Sequence, residues 1–422
     1  MNAGSLPLQD AARSAHSLIV GMGRKILLVS DWYPSPEDPV QGVFVEQQAV
    51  ALSARHRVVV VVPRRRRWRE GFGRRKRVSH ETRNGIHVVT TDASPPLPKW
   101  PYATYSGVRH AVAAAWTEVG DGWGVPDLIH AHVVRYAGWA SLSLAGSLRV
   151  PVVLTEHSGP FTVHLKTRLD RAVVGNSLGA FAAVIAVSPM LAADIRAIRD
   201  VPIDIVGNIV DTDFFTPAKS SVARRNGEFR VVTVSSLVRS KRVDVVINAV
   251  AEAARTTARR IGLTVVGDGP ERRPLERLAA DLRVGPSVRF VGVADRDIVR
   301  EELRAADAFV LASESETFGI VAGEAMACGT PVVVSLNGGS QFVVERDLGI
   351  HVPVGSSSAI ASAIEAIMNG TAQIDLERAR ASIVRRFSPS SVVSDLERIY
   401  ERVSLPSRPR SAVPPSTLHF VS

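Results

Sequence analysis

Residues 313–333, SESETFGIVAGEAMACGTPVV, carry two glutamates eight positions apart, Glu316 and Glu324. The apolar run FVLAS just before the first glutamate predicts a buried strand, and residues 319–328 predict a short helix. Strand, turn and helix in this order indicate the carboxyl edge of a parallel sheet, which is where α/β folds bind ligands. The stretch therefore predicts both a fold class and the place of a site.

The two ends of the predicted helix carry their own signals. Thr317 is available to cap its first turn with a side-chain oxygen. Gly329 stands where a helix ends in a left-handed residue, and Pro331 prevents its continuation.

The first turn of this helix is a predicted anion site, because its free N–H groups and the helix dipole both favour negative charge. Gly319 lets a phosphate approach the backbone closely. Glu316 at the mouth can accept hydrogen bonds from ligand hydroxyls, and Glu324 projects from the second turn. This suits a ligand with sugar, diphosphate and ribose groups, although the spacing equally allows a surface acid and a salt-bridged acid.

The rest of the chain repeats the alternation of strand and helix. Its 422 residues are too many for one ordinary core, so two domains are expected. Buried strands are predicted at residues 25–30, 57–62, 128–132, 150–155 and 183–188. A second α/β series begins at Phe229, after the polar stretch TPAKSSVARRNGE. The pattern predicts two Rossmann-like, doubly wound domains that face each other across a cleft.

The predicted domain limits follow from this pattern. Residues 24–214 form the first domain and residues 215–388 the second, and a late helix at 389–403 returns to the first. Residues 1–23 are expected to be a flexible extension, with Met22 as an alternative start, and the Pro- and Ser-rich residues 404–422 a disordered tail.

The net charge of +10 has a local origin. Residues 64–77, RRRRWREGFGRRKR, hold nine basic residues and one acid, which leaves 10 − 8 = +2 for the remainder. A solvated loop is one interpretation. Contact with anionic lipid headgroups or a phosphorylated acceptor is the other, because clustered Lys and Arg are attracted to such surfaces. No nucleic-acid recognition motif accompanies the patch, so nucleic acid is not an expected partner.

Cysteine content and hydropathy exclude further classes. The single cysteine, Cys328, rules out a disulfide scaffold and argues against a cysteine-based metal cluster. No apolar run reaches the roughly 18–20 residues that span a bilayer. A cytoplasmic protein is expected, and the basic segment would place it at the inner face of the membrane.

Four segments occur in the order typical of one enzyme family: GDGPE at 267–271, VRFVG at 288–292, AADAFVLASESETFG at 305–319 and GTPVV at 329–333. With them, residues 24–403 resemble the family 4 retaining glycosyltransferases of the GT-B fold. The resemblance implies transfer of a sugar from a nucleotide-diphosphate donor, with the donor bound by the second domain and the acceptor by the first. It implies neither a cofactor nor a metal.

The resemblance also implies roles in the donor site. Glu316 would contact sugar hydroxyls and act in catalysis, and Glu324 would hold the ribose hydroxyls. Val293 would lie beside the nucleobase. The sugar and diphosphate would face the backbone amides of Phe318, Gly319, Ile320 and Val321.

A basic pair neutralises the diphosphate in this family, and only half of that pair is present here. Lys241 aligns with the family's Lys, as a catalytic point charge beside the leaving group. The position of the Arg is taken by Ser236, so that the second phosphate ligand is open. Arg239 or Arg242 would have to compensate, and either is equally compatible with a solvated surface position.

Four residues of the first domain match the family's cleft. His157, just past a strand end, would orient the sugar or stabilise developing charge, as a catalytic residue. Gly42 precedes a helix and would approach the donor phosphate from the opposite side. Asp31 and His132 would line the acceptor side, whereas His130 is expected in the core.

The predicted function is a retaining transferase that moves a hexosyl unit from a UDP- or GDP-linked donor to a glycan, lipid-linked or small-molecule hydroxyl in cell-surface polysaccharide or glycoconjugate biosynthesis. Transfer to a soluble natural-product aglycone, an inverting transferase and a sugar-nucleotide epimerase are the enzymatic alternatives. A basic lipid- or nucleic-acid-binding module is the alternative from another class.

Overall fold

The computed structural model describes residues 23–64, 78–93, 101–218, 227–257 and 259–404. Residues 1–22, residues 65–77 and residues 405–422 lie outside this part of the chain, and with them nearly all of the predicted extension, basic segment and tail.

An eight-stranded sheet organises the first half of the chain, in the order β3-β4-β2-β1-β5-β6-β7-β8. All neighbours are parallel except β3, which pairs antiparallel with β4 at one edge. The central strands are β-branched and buried, as expected for a parallel sheet covered on both faces. The strands are β1 Lys25–Ser30, β2 Arg57–Arg64, β3 Val78–Arg83, β4 Ile86–Asp92, β5 Leu128–His132, β6 Val152–Glu156, β7 Ala183–Ala186 and β8 Ile203–Ile205.

Helices cover the two faces of this sheet and follow the strands in turn. An irregular turn at Val134–Gly138, in which Arg135 and Tyr136 have non-helical dihedrals, follows β5, and a 3₁₀ turn at Phe161–His164 follows β6. The helices are α1 Val43–Ser53, α2 Pro101–Trp123, α3 Trp139–Leu148, α4 Arg168–Ala180 and α5 Pro189–Arg196.

A six-stranded parallel sheet organises the second half, in the order β11-β10-β9-β12-β13-β14. Its strands are β9 Phe229–Val234, β10 Ile261–Val266, β11 Val288–Gly292, β12 Ala308–Leu311, β13 Val332–Ser335 and β14 Ile350–Val352. Its helices are α6 Val243–Thr256, α7 Arg272–Asp281, α8 Arg296–Ala305, α9 Ile320–Ala327, α10 Gly339–Val343, α11 Ser357–Met368 and α12 Leu376–Phe387, with 3₁₀ turns at Arg239–Lys241 and Gly285–Ser287.

The last helix, α13 Pro389–Ser404, packs on the first sheet. Tyr400 and Leu396 belong to one buried cluster with Ile26 of β1 and Leu128 of β5. The predicted α/β architecture of two Rossmann-like sheets and a returning terminal helix is therefore confirmed.

Both sheets reverse strand order at their first strand. β1 lies between β2 and β5, and β9 lies between β10 and β12. The connections therefore leave these strands toward opposite faces, which opens a crevice at the carboxyl edge of each sheet. None of the helices in the described ranges is long and apolar enough to cross a membrane.

Candidate functional site

The start of helix α9 has the features of an anion site. Gly319 precedes it with φ 90°, a left-handed conformation that a side chain disfavours. No side chain among the described residues caps the helix, so the expected capping by Thr317 is wrong, and the first-turn N–H groups remain available. A Cβ on Gly319 would also lie 3.0 Å from the Ser340 Oγ.

The residues around Gly319 present backbone rather than side chain to the cleft. The Phe318 side chain is buried, with its ring centroid 4.9 Å from that of Phe387 and 6.2 Å from that of Phe342. Ile320 and Val321, the first two residues of α9, are half-buried. Any contact of Phe318 with a ligand would therefore come from its amide, as the sequence predicts.

Two charged side chains meet in front of this helix. The Lys241 Nζ lies 2.6 Å from Glu316 Oε1, and the Ser313 hydroxyl donates to the same oxygen over 2.8 Å. The Glu316 carbonyl accepts a hydrogen bond from the Gly339 amide, which fixes the turn. The two predicted catalytic charges of this half therefore neutralise each other directly. Ser313 was not predicted, although a hydroxyl at a strand end is a recognisable signal.

Glu324 differs from Glu316 in its surroundings. It is 9% exposed, and no hydrogen bond or ion pair joins its carboxylate to another described residue. Its pKa is raised to about 7, mainly by burial. The Arg296 charge opposes this shift, and the Asp211 charge adds to it. Arg296 itself is paired with Asp211 over 2.8 Å.

The second phosphate ligand expected near Ser236 is not replaced by Arg242. The Arg242 guanidinium is bound to Asp244 and Glu314, within 3.1–3.2 Å. Arg239 is exposed, and its guanidinium makes no hydrogen bond or ion pair with a described residue. Ser236 is exposed as well, so this position offers a small hydroxyl where the family has a cation.

Val293 follows the edge strand β11 of the second sheet, whereas Glu316 follows β12. It follows Gly292, which has φ 85° at the end of β11, and it is 72% exposed. A side chain so exposed beside a positive-φ glycine leaves the neighbouring backbone accessible to a flat ligand. The assignment of the nucleobase to this segment stays a prediction.

His157 stands at the carboxyl end of β6 in the first sheet. Its Nδ1 lies 3.0 Å from the Asn208 Oδ1 and its Nε2 lies 2.9 Å from the His132 Nδ1. The ring packs on Phe44 of α1, with centroids 4.3 Å apart. Burial lowers its pKa to about 4, although the Glu156 charge and the Asn208 hydrogen bond both act to raise it. The imidazole is therefore neutral near pH 7.

His132 takes a different place from the one expected. It has no exposed surface and lies behind His157, with the ring centroids 5.1 Å apart. It therefore supports His157 and does not itself line the acceptor surface, because the strand pairing of β5 and β6 aligns the two imidazoles. His130, two residues earlier on the same strand, is buried between Tyr400 and Thr155, as expected of a core residue.

Glu156 is a buried charge that the sequence interpretation missed. It accepts hydrogen bonds from the amides of Val134, His157 and Ser158 over 2.8–3.0 Å. Burial alone would raise its pKa, but the His164 imidazole, 3.4 Å from Oε1, and these hydrogen bonds lower the pKa to about 2. A carboxylate that ends a fully buried strand was the available signal.

Gly42 and Asp31 border the same edge. Gly42 has φ 74° before α1, and a Cβ there would lie 2.4 Å from the backbone of Trp32. Glycine is therefore required by packing, which its predicted role toward a phosphate does not exclude. Asp31 directly follows β1, half-buried in the loop that leads to Gly42.

The two sheet edges touch each other in the loops that follow β6 and β12. A Cβ on Gly159, in the loop after His157, would lie 2.3 Å from the Thr317 Cγ2, in the turn after Glu316. Buried polar atoms without a described partner lie on both sides, among them the His132 Nε2, Ser158 Oγ and Ser340 Oγ. Such atoms are rare in native structures unless a ligand or water satisfies them. No group of three His, Cys, Asp or Glu side chains suited to a metal occurs within the described ranges.

Comparison with known proteins accounts for most of the chain. Residues 215–383 match the family described as glycosyl transferases group 1, and residues 41–214 match glycosyltransferase family 4. The chain is 30% identical to the N-acetyl-alpha-D-glucosaminyl L-malate synthase of Bacillus anthracis, with 65% of this chain and 74% of that protein covered. It is 32% identical to the D-inositol 3-phosphate glycosyltransferase of Frankia alni, with 63% and 71% covered.

The fold has solved counterparts. The structure of Anabaena Alr3699/HepE in complex with UDP and glucose superposes with a TM-score of 0.69 at 20% identity, covering 90% of this chain and 99% of that one. Three observations agree: the two Rossmann-like sheets face each other, a helix that begins after a glycine lies beside a Lys–Glu pair, and both family models match. The chain belongs to the family 4 glycosyltransferases of the GT-B fold, and it is a transferase that uses a nucleotide sugar.

Proposed function

We propose that this protein is a retaining hexosyltransferase that takes its sugar from a UDP- or GDP-linked donor. The observation that carries the proposal is the contact between the His157 loop and the Glu316 turn, through Gly159 and Thr317. It brings a neutral imidazole, a carboxylate, a lysine and free helix amides into one crevice. These groups suit a neutral sugar joined to a diphosphate.

In the proposed reaction the donor diphosphate lies on the first turn of α9, between its amides and Lys241. As the bond from the anomeric carbon to the phosphate oxygen breaks, the leaving oxygen gains charge, which Lys241 and the amides stabilise without a metal. The acceptor hydroxyl attacks from the same face and passes its proton to the departing oxygen. The new glycosidic bond then keeps the anomeric configuration of the donor.

Glu316 and His157 have positioning roles in this scheme. Glu316 exchanges Lys241 for the sugar hydroxyls when the donor enters, because the diphosphate competes for the lysine. His157 is neutral, with both ring nitrogens bonded to Asn208 and His132, so it is not a proton donor. It orients the sugar through its ring and its fixed position at the strand end.

UDP as the nucleotide of the donor is supported by the UDP complex of the Anabaena protein, and by that alone. The names of the two sequence relatives point to small acceptors that carry a carboxylate or a phosphate. A lipid-linked glycan in cell-surface polysaccharide synthesis is the acceptor that the basic segment favours. We propose a cytoplasmic location on the same ground, with peripheral contact of residues 64–77 with an anionic membrane.

The test combines binding with product chemistry. A thermal-shift panel of UDP, GDP, ADP and their hexose conjugates identifies the donor, because a ligand that binds only the folded state raises Tm. Lys241→Ala is expected to abolish the shift caused by the matching nucleotide, and Arg239→Ala, on the same turn, to leave it unchanged. NMR of the product then shows retention or inversion. Stabilisation by no nucleotide would contradict the proposal, and product formed without any acceptor would indicate an epimerase.

A further inference from the structure

A cavity of about 540 Å³ lies away from the donor crevice, where the chain crosses between its two halves. Ile205 and Gly207 border it from the end of the first sheet, and Phe342 borders it from α10. The end of α12 and the start of α13 close its remaining sides. We call this cavity the hinge groove. The sequence interpretation assigned nothing to it.

Arginines dominate the charge of the hinge groove. Arg385, Arg386 and Arg398 line it, and Asp395 is the acid among its lining residues. Arg385 is exposed and makes no hydrogen bond or ion pair with a described residue. Arg398 is paired with Asp395, one turn earlier on α13. Two guanidinium groups can therefore turn toward an anion without breaking a buried contact.

Arg386 has a different part in the groove. Its guanidinium stacks on Phe342 and Phe387, at 5.0 and 4.5 Å from the ring centroids. It also donates to the carbonyls of Phe342 and Val343 and lies 3.3 Å from Glu345. These contacts hold it as a fixed positive wall of the groove.

The start of α13 adds to the positive potential. Ser390 and Ser391, in the first turn of this 16-residue helix, line the groove. A helix N-terminus carries a partial positive charge. The hydroxyls of Ser390 and Ser391 are bonded within the turn, to Ser388 and to the Val384 carbonyl, so this charge and not free hydroxyls is what the turn contributes. The volume lies in the range of small-molecule sites, above that needed for one inorganic ion.

We propose that the hinge groove binds a small molecule that carries a phosphate group, and that this ligand acts on the donor site from a distance. The phosphate would bridge Arg385 and Arg398, near the start of α13, and Asp395 would give up Arg398. Bidentate arginine contacts suit phosphate in particular. The proposal does not depend on the sugar or nucleotide of the reaction.

The floor of the groove is continuous with the donor site. Phe387 packs on Phe318, with centroids 4.9 Å apart, and Phe318 directly precedes Gly319 at the start of α9. A Cβ on Gly207 would lie 2.5 Å from Phe387 and 2.6 Å from Phe318, so this floor has no free space. A ligand that shifts Phe387 must shift Phe318 as well.

The opposite wall leads to the first half of the site. Gly207 is followed by Asn208, whose Oδ1 lies 3.0 Å from the His157 Nδ1. The groove therefore adjoins both segments that hold catalytic groups in place. Coupling of this kind is reciprocal: if the groove ligand changes nucleotide affinity, the nucleotide changes the affinity of the groove by the same factor.

The experiment uses inorganic phosphate as the probe, at constant ionic strength, with isothermal titration and Tm as readouts. Four proteins are compared: the unaltered chain, Arg385→Ala/Arg398→Ala, Lys241→Ala and Arg378→Ala. Arg378 is the matched control, because it is an exposed arginine of α12 paired with Asp347 outside the groove. The Lys241 variant weakens phosphate binding at the donor site and so separates the two locations.

The expected result is phosphate binding that persists in Lys241→Ala and Arg378→Ala and weakens about tenfold or more in the double variant. Phosphate should also change the affinity of the unaltered chain for its nucleotide, and should fail to do so in the double variant. Binding that disappears in Lys241→Ala but persists in the double variant would place the anion in the donor site and overturn the proposal. Equal binding by all four proteins, or none by the unaltered chain, would overturn it too.

Discussion

The two edges that face each other across the crevice are built in opposite ways. The first presents buried imidazoles that are neutral because burial lowers the pKa values of His132 and His157. The second presents a half-exposed ion pair, Lys241 with Glu316, beside a helix start without a side-chain cap. One edge is held by hydrogen bonds between uncharged rings, and the other carries an ion pair for which a charged ligand can compete.

The difference matches the ligand that each edge is proposed to bind. A neutral sugar or acceptor hydroxyl needs fixed positions and little charge, which buried and mutually bonded rings supply. A diphosphate needs compensating charge at the moment of bond breaking, which a lysine and helix amides supply. The comparison therefore predicts that charge removal is costly on the second edge and that loss of geometry is costly on the first.

Removal of charge on the second edge should have the largest effect. Lys241→Ala should lower kcat/KM about 10³-fold, as removal of one preorganised donor does in other enzymes. Glu316→Gln should also abolish most of the turnover, yet it should bind the free nucleoside diphosphate more tightly, because Lys241 loses its 2.6 Å partner. Steady-state kinetics and titration calorimetry measure the two effects.

Arg239→Ala is the control, since Arg239 lies on the same turn but is exposed and unpaired among the described residues. It should change kcat/KM little. Weaker nucleotide binding by Glu316→Gln would show that the Lys–Glu pair does not compete with the diphosphate.

Loss of geometry on the first edge should have the next effect. His157→Ala should lower kcat about 10²-fold without introducing a new pH dependence, because the imidazole with a pKa of about 4 stays neutral across the working range. The pH–rate profile between pH 6 and 8 is the measurement. His80→Ala, on the exposed hairpin of β3 and β4, should be silent. A rate step near pH 6.5 that vanishes in His157→Ala would contradict a neutral positioning role.

The burial of Glu324 on the second edge can be tested through the pH dependence of the free energy of unfolding. Burial raises its folded pKa to about 7 from 4.5, so the folded chain binds more protons than the unfolded chain between these values. Its contribution is therefore present below pH 4.5 and is lost as pH rises through 7. Glu324→Gln should raise the free energy of unfolding at pH 8 by up to about 3 kcal/mol, at about 1.4 kcal/mol per pKa unit, and by little at pH 4.

Denaturant unfolding of both proteins at the two pH values gives the difference. Glu324→Gln should at the same time bind its nucleotide more weakly, because the carboxylate proposed to accept the ribose hydroxyls is lost. An unchanged unfolding difference across the pH range would mean that Glu324 is not a buried acid in solution.

The smallest effect is expected from Arg296, the cation whose charge lowers the pKa of Glu324. Arg296 and Arg300 both stack on Phe214, at 4.5 and 4.4 Å, and it is Arg296 whose charge lowers the pKa of Glu324. Arg296→Gln should raise the donor KM about threefold near pH 7 and move its pH dependence upward. Arg300→Gln is the matched control, because Arg300 stacks on the same ring and lies on the same helix. It should leave the donor KM and its pH dependence unchanged. Equal effects of the two variants would assign Arg296 to packing alone.

Much of the fold could be predicted because its signals are local. Runs such as KILLVS and RVVVVV are long enough to specify buried strands, and Gly319 and Gly329 mark the limits of α9. The edge strand β3, VSHETR, was not predicted, because a polar strand exposed on both faces has no hydrophobic period. Thr317 was predicted as a cap from residue type alone, and the direction of its side chain toward Gly159 was not readable.

The sequence by itself determined the two α/β series, the glycine that starts α9, and the residue types of the donor site, because propensity and periodicity act over a few neighbours. Only the tertiary structure decided which of these residues meet. Lys241 and Glu316 pair across 75 positions, and His132 pairs with His157 across 25, because strand order sets those distances. Burial decided the rest: it keeps His157 neutral and raises the pKa of Glu324, while Glu316, with the same side chain, pairs with a lysine.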